Sequence, residues 1–262
     1  MNGNTSWEVP PGLRVLVTAG ASGIGRTIAD AFADAKARLH ICDVSAEALE
    51  RCRSERPSYG LTLCDVAEDG QVRKLFDDVA ATLGGLDVLV NNAGIAGPTA
   101  RVEAIDPADW RRTIDVNLNG HFYCTRLATP LLKKSAHGAI INISSVAGRL
   151  GYAFRTPYAA SKWAIVGFTQ SLAKELGPDG IRVNAILPGL VEGPRIERVI
   201  AARAQELGVA YEEAEQQYLS KISLRRMVTA QDIAGMALFL CSSLGRHVSG
   251  QALSVCAGVE AL

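Results

Sequence analysis

Short apolar runs, several rich in β-branched residues, recur along the chain and alternate with stretches whose apolar positions fall at helical spacing. Residues 13–19, 38–43, 61–66, 86–90, 139–143, 181–187 and 251–256 read as strands. Residues 26–37 and 68–83, a long segment opening at Asp106-Pro107, a segment from Tyr158 to Glu175, and residues 229–242 read as helices. About seven strands alternating with helices predict an α/β fold, a parallel sheet with helices on both faces. No linker, repeat or low-complexity stretch divides the chain, so one domain is expected over residues 13–262, behind a short disordered lead at 1–12. Residues 191–226 stand apart as a charged helical insertion before the last helix, with Tyr211 and Tyr218 interleaved. A mobile lid over a pocket is one reading, and a solvated surface helix is the other.

The strand ends carry the chemistry. Gly20-Ala-Ser22-Gly23-Ile24-Gly25 follows the first strand and precedes the first helix. In that context glycines allow a tight turn and let a diphosphate approach free N–H groups at a helix N-terminus; a plain tight turn is the alternative. Asp43 ends the second strand, twenty residues after Gly23. An acid there accepts hydrogen bonds from ribose hydroxyls and repels a 2′-phosphate, or else it caps the following helix. No Lys or Arg stands at Ala21, Ser22 or Val44 to hold that phosphate, so NAD is expected over NADP. Asp65 ends the third strand, Asn91-Asn92-Ala93-Gly94 breaks the fourth, and Pro188-Gly189 closes the sixth. Asn117, inside an apolar stretch, needs a partner if buried, and satisfying helix backbone would suffice. Ser145 follows the fifth strand. Tyr158 and Lys162 are four residues apart, about one helical turn, so phenol and ammonium share a face. The ammonium favours the phenolate, and a phenol so tuned moves protons to or from an alcohol or carbonyl. All these turns fall beyond strand carboxyl ends, where such folds bind ligands.

Composition narrows the picture further. Of 262 residues 48% are apolar, enough for a sizeable core, and Lys+Arg and Asp+Glu balance at 27 each. Neither nucleic acid nor a membrane surface is favoured by that balance. No apolar run approaches the roughly 18 residues that span a bilayer, and the N-terminus does not resemble a signal peptide. The six cysteines lack C-x-x-C pairing and read as buried free thiols rather than a metal or disulfide framework. A reducing cytoplasm is the expected location, and no metal is expected.

From residue 13 to 257 the chain resembles the short-chain dehydrogenase/reductase family. The likeness rests on Thr18-Ala-Gly-Ala-Ser-Gly-Ile-Gly25, Asp43, Asp65, Asn91-Asn-Ala-Gly94, Asn117, Ser145, Tyr158-x-x-x-Lys162 and Pro188-Gly189, in the family's order. The resemblance implies a Rossmann-like doubly wound fold, nicotinamide hydride transfer and a homotetramer or homodimer. It implies Tyr158 as general acid/base and Lys162 as the group that lowers its pKa and bonds the nicotinamide ribose. Ser145 would polarise the substrate oxygen and Asn117 would hold a water in a proton relay. Cofactor contacts are expected at Gly20, Ser22, Gly23, Ile24, Gly25, Asp43, Asp65, Val66, Asn91, Ala93, Gly94, Tyr158, Lys162, Pro188, Gly189 and Val191. Asp65 would meet the adenine amino group, and the Asn91 segment the adenine ribose. Two departures stand out. Ala19 replaces a usual Gly, and Gly193 replaces a usual Thr, leaving carboxamide contacts to backbone near Val191.

Substrate specificity should come from the loop after Ser145 and from the insertion. Ser145, Tyr158, Arg149, Arg155 and Arg195 are the candidate substrate contacts. Guanidinium groups suit a carboxylate, sulfonate or phosphate, unless they pair with Glu192 or with interface acids. The expected activity is NAD-dependent hydride transfer with a small polar secondary alcohol or ketone, such as a sugar, polyol or hydroxy acid, with or without an anionic group. A 3-oxoacyl-thioester reductase is the alternative enzyme. A non-catalytic nucleotide-binding sensor is the alternative of another class, and it would be expected to show a broken catalytic set.

Overall fold

The computed structural model describes residues 8–259. Seven parallel strands form one sheet in the order β3-β2-β1-β4-β5-β6-β7. They are β1 (Arg14–Thr18), β2 (Arg38–Asp43), β3 (Gly60–Leu63), β4 (Val88–Asn91), β5 (Ala139–Ile143), β6 (Arg182–Pro188) and β7 (Ala252–Val255). The helices are α1 (Gly23–Asp34), α2 (Ala46–Glu55), α3 (Asp69–Leu83), α4 (Pro107–Ile114), α5 (Gly120–Leu132), α6 (Thr156–Leu176), α7 (Pro194–Leu207), α8 (Tyr211–Leu219) and α9 (Ala230–Cys241). This is the Rossmann-like doubly wound sheet. Strand order reverses between β1 and β4, which opens a crevice beyond their carboxyl ends.

Alternation along each strand divides the core between the two faces. Val15, Val17, Val88, Val90 and Ile141 join Ile28 and Phe32 of α1 and Ile233 and Ala237 of α9. Leu16, Leu89, Ile140 and Val183 join Val72 and Leu75 of α3 and Cys124 and Ala128 of α5. Each large aliphatic side chain so buried contributes about 1.5–3 kcal/mol. The six cysteines are free thiols, five of them buried.

Several boundaries differ from the reading of the sequence. Of the expected lead, residues 1–7 lie outside the described residues, while Val9 is buried in the α1 face of the core. The expected β3 stops at Leu63, because Asp65 turns the chain, its Oδ1 accepting from Ala67 N at 3.0 Å. The long helical segment after Asp106 is broken into α4 and α5 by a π turn at Asp115–Asn119. Residues 191–226 form α7 and α8. A parallel bridge between Val191 and Val228 ties the base of this excursion together.

Candidate active site

The site begins at the end of β1. Thr18 Oγ1 accepts hydrogen bonds from Asn92 N at 2.9 Å and Ala93 N at 3.0 Å, joining the ends of β1 and β4. Asn92 Nδ2 donates to the carbonyls of Thr18 and Ala19, at 3.0 and 3.1 Å, and so clamps the glycine turn. A Cβ on Gly25 would lie 2.2 Å from Ala19 O, so only glycine lets α1 start this close to the turn. Gly23 takes a positive φ of 54°. Gly20 donates its N–H to Cys42 O at 2.9 Å, and a Cβ there would meet Ile41 at 2.8 Å. Ala19 adopts φ 49°, the left-handed conformation a glycine takes without strain.

A cavity of about 370 Å³ runs from this turn across the carboxyl ends of the strands. Ser22, Gly23, Ile24, Asn92 and Gly94 line one end. Ser145, Tyr158 and Lys162 line the other, and Pro188, Gly189, Val191 and Glu192 close it from β6. Arg195 and Tyr218 of the excursion border the same space. The first turn of α1 has N–H groups without partners inside the helix, and they open toward Ser22–Ile24.

Tyr158 stands in the first turn of α6, after Pro157. Lys162 lies one turn on, buried, with Nζ donating to Ile143 O at 2.8 Å. Ser144 Oγ donates to Lys162 O at 2.8 Å, which fixes the end of β5 on α6. Ser145 Oγ accepts from Ala147 N at 3.1 Å, leaving its O–H to donate into the cavity. Burial opposes ionisation of Tyr158. The charges of Lys162, Arg195 and Arg155, with a hydrogen bond from Ser145, outweigh that and hold the phenol below its usual pKa. Burial, partly offset by Tyr158, brings the Lys162 ammonium down to about 8.

Asn117 sits in the π turn and is fully buried. Its Oδ1 accepts from Ile95 N at 2.7 Å, and its Nδ2 donates to Ile95 O and to Ser161 Oγ, at 3.1 and 3.0 Å. Its side chain therefore satisfies backbone, and with Lys162 it borders the bare α-carbon of Gly94. Asp43 accepts from Ala21 N at 3.2 Å and from Ser45 N at 3.0 Å, at the mouth of the glycine turn. Asp65 is paired with Arg112 at 2.6 Å, a partner that sequence spacing did not reveal, and Val66 is packed against Gly120.

One expected contact is narrowed to backbone and one is corrected. The Asn91 side chain faces the sheet interior, where Nδ2 donates to Thr125 Oγ1 at 3.1 Å and to Asn142 Oδ1 at 2.9 Å. Only its backbone is left to meet a ribose, and the cavity side chain is that of Asn92; Ala93 is buried beside it. Arg149 also turns away, donating to Ala252 O and, at 3.5 Å, to Ser254 Oγ on β7. It lies outside the cavity because the short helical turn at Val146–Gly148 ends there and directs it to the sheet edge. Arg155 and Arg195 do reach the site, with their guanidinium carbons 4.8 and 6.0 Å from the centre of the Tyr158 ring.

Gly193 takes φ 129°, a conformation closed to Thr, so the missing hydroxyl goes with a backbone route of its own.

A family described as Enoyl-(Acyl carrier protein) reductase matches residues 18–260. The chain is 35% identical to the 3-oxoacyl-(acyl-carrier-protein) reductase FabG of Thermotoga maritima, covering 93% of this chain and 96% of that one. It is 33% identical to the 2-dehydro-3-deoxy-L-rhamnonate dehydrogenase (NAD(+)) of a Sphingomonas strain, covering 87% of each. Among solved structures, NAD+-bound xylitol dehydrogenase superposes with a TM-score of 0.89 at 28% identity, covering 98% of this chain and all of that one. These names span thioesters, sugar acids and polyols, so they agree on the reaction and differ on the substrate.

Proposed function

This chain belongs to the short-chain dehydrogenase/reductase family, whose members are NAD(P)-dependent oxidoreductases acting on CH–OH groups, and from that premise we propose that it oxidises a small polar secondary alcohol with NAD. One observation carries the reading. Tyr158, Lys162 and Ser145 share one wall of a cavity whose far end is the glycine turn, and Asp43 accepts a hydrogen bond from that turn at Ala21 N.

The residues fit the dinucleotide. The cradle at Gly20 and Gly25 leaves no room for side chains, Gly23 takes a left-handed φ that suits glycine, and Ser22, Gly23 and Ile24 would hold the diphosphate. Asp43 would accept from the adenosine ribose, and Asp65 and Val66 would flank the adenine. The backbone at Asn91, Ala93 and Gly94 would meet the ribose. Pro188, Gly189 and Val191 would border the nicotinamide, with Tyr158 and Lys162 at its ribose. When bound, NAD supplies the hydride acceptor. The chain's own part is proton transfer: Ser145 donates to the substrate oxygen, Tyr158 takes the hydroxyl proton, and the Lys162 charge holds the phenolate. The hydrogen bonds of Asn117 make its side chain a positioning group for the Gly94–Ile95 backbone.

Asp43 supports NAD over NADP, since its charge would repel a 2′-phosphate. Exposed Trp110, Phe122 and Trp163 on α4, α5 and α6 support a homodimer or homotetramer. Among the described residues no helix is long and apolar enough to cross a membrane, and free buried thiols support a cytoplasmic location. The two helices of residues 191–226 act as the lid. The likeness to FabG favours one second reading, reduction of a 3-oxoacyl thioester. Absorbance of reduced nicotinamide, read with NAD and NADP against sugars, polyols, hydroxy acids and an acyl thioester, tests both. Turnover with NAD and a polar alcohol is expected. Turnover confined to NADP and the thioester would replace this reading with the second, and silence across the panel with NAD still bound would favour a nucleotide sensor.

A further inference from the structure

Arg155 is 5% exposed, yet among the described residues it meets no acid. One terminal nitrogen donates to Ala96 O at 2.9 Å, while its Nε is buried and bonded to nothing. A buried guanidinium with an unmade hydrogen bond is costly, and an opposite charge is what relieves it. Arg195, from the first turn of α7, comes to the same Tyr158 ring and donates to Gly94 O at 3.2 Å. With Lys162, three cations surround one phenol. Glu192 lines the cavity but is ion-paired with none of them among the described residues.

The backbone is bent to place Arg155 there. Phe154, immediately before it, takes φ 66°, a conformation bulky residues avoid. It is held by Arg203 of α7, whose guanidinium lies 4.6 Å from the ring centre, and by Ala100 N donating to its carbonyl at 3.0 Å. Such strain persists where surrounding contacts impose it, and here its consequence is a guanidinium against the catalytic ring.

We propose that Arg155 and Arg195 form a carboxylate site, and that the substrate is a short hydroxy acid whose carboxylate lies within a few bonds of the carbinol. This rests on the dehydrogenase reading above and narrows it. The planar fork of Arg155 matches a carboxylate edge, and Arg195 closes over it from the lid. The carbinol C–H leaves as hydride to the nicotinamide and the hydroxyl proton passes to Tyr158. The product is the oxo acid with its carboxylate unchanged. Arg155 sits on the Tyr158 side of the cavity, away from the glycine turn where a diphosphate would bind.

The test compares lactate and β-hydroxybutyrate with their methyl esters in wild type, Arg155→Gln and Arg195→Gln. Wild type should prefer at least one acid over its ester. Both variants should cut that preference about 10- to 100-fold through KM for the acid, with KM for NAD unchanged. Arg155→Lys, which keeps the charge and loses the fork, should recover part of it. Calorimetric titration of the NAD-saturated protein with α-hydroxyisobutyrate, which has no carbinol hydrogen to give up, should show binding that Arg155→Gln loses. Arg195 is exposed, so its variant keeps the test open if Arg155→Gln melts early. Esters turned over as well as acids, an unchanged acid-to-ester ratio in both variants, or a raised KM for NAD alone would overturn the carboxylate site while leaving the dehydrogenase standing. If neither these compounds nor the wider panel above is turned over, the dehydrogenase reading falls. The titration then decides the anion site: binding sensitive to Arg155 upholds it, and no binding overturns it.

Discussion

Lys162 lies over the face of the Tyr158 ring, its ammonium nitrogen 5.7 Å from the ring centre, anchored by the Ile143 carbonyl at 2.8 Å. The pair is thus an electrostatic arrangement held by β5 rather than a chance neighbourhood on a helix. Oxidation rates should rise with pH until Tyr158 ionises, below its ordinary value of 10. Lys162→Met removes the charge that favours phenolate, so the rising limb of kcat/KM should move to higher pH. Tyr158→Phe should lower kcat about 10²- to 10⁴-fold with NAD binding retained. An unmoved pH limb in Lys162→Met would refute the electrostatic role.

Ala19 should be suboptimal. Its left-handed φ costs an alanine about 1–2 kcal/mol, against roughly 0.5–1 kcal/mol of extra chain entropy for glycine. Ala19→Gly is expected to raise stability by about 0.5–1 kcal/mol in urea unfolding. A drop in stability would show that the methyl's packing outweighs the strain.

Asp43 should govern cofactor choice. Losing a hydrogen bond between a carboxylate and a ribose costs about 1.5–3 kcal/mol, a factor of roughly 10–100 in affinity. Asp43→Ser together with Val44→Arg, at a position 65% exposed, should raise the NADP-to-NAD ratio of kcat/KM by at least that factor. Steady-state kinetics with both cofactors reads it directly, and an unaltered ratio would remove Asp43 from the role.

Two buried histidines should set the acid limit of stability. Burial, opposed by Asp78, brings His40 down to about 4, between Thr82 and Thr62 hydroxyls at 2.8 and 2.9 Å. Burial and Lys162 bring His121 to about 3. In the unfolded chain both titrate near 6.5, so below that pH the unfolded state binds protons the folded state refuses. Their effect on stability is therefore nil above about 6.5. Stability then falls by about 1.4 kcal/mol per pH unit for each histidine as pH drops toward 4. His40→Gln should flatten the Tm profile between pH 6.5 and 4, and an unchanged slope would contradict the assignment.

Most of the scaffold was legible because the signals are local. Strand alternation, glycine at a strand-to-helix turn, and a one-turn spacing of Tyr158 and Lys162 are set by backbone sterics over a few residues. What local signals leave open depends on a single step of register or on distant chain. Adjacent residues of a strand point to opposite faces, so it took the pairing of Asn91 with Asn142 to show that Asn91 faces inward and that Asn92 holds the turn. Arg149 and Arg155 look alike on the rim loop, yet one is drawn to β7, more than a hundred residues on, and the other to Ala96 beside the Tyr158 ring.

From residue order alone come the doubly wound sheet, the nicotinamide chemistry and the candidacy of Tyr158, Lys162, Ser145 and Asp43. Only the folded chain decides which arginines share the cavity, that Arg155 is buried without an acid, and that Ala19 and Phe154 sit in left-handed backbone. The reason is physical. Short-range sterics and periodicity act between neighbours in sequence, whereas the destination of a long charged side chain depends on what packing brings within its reach.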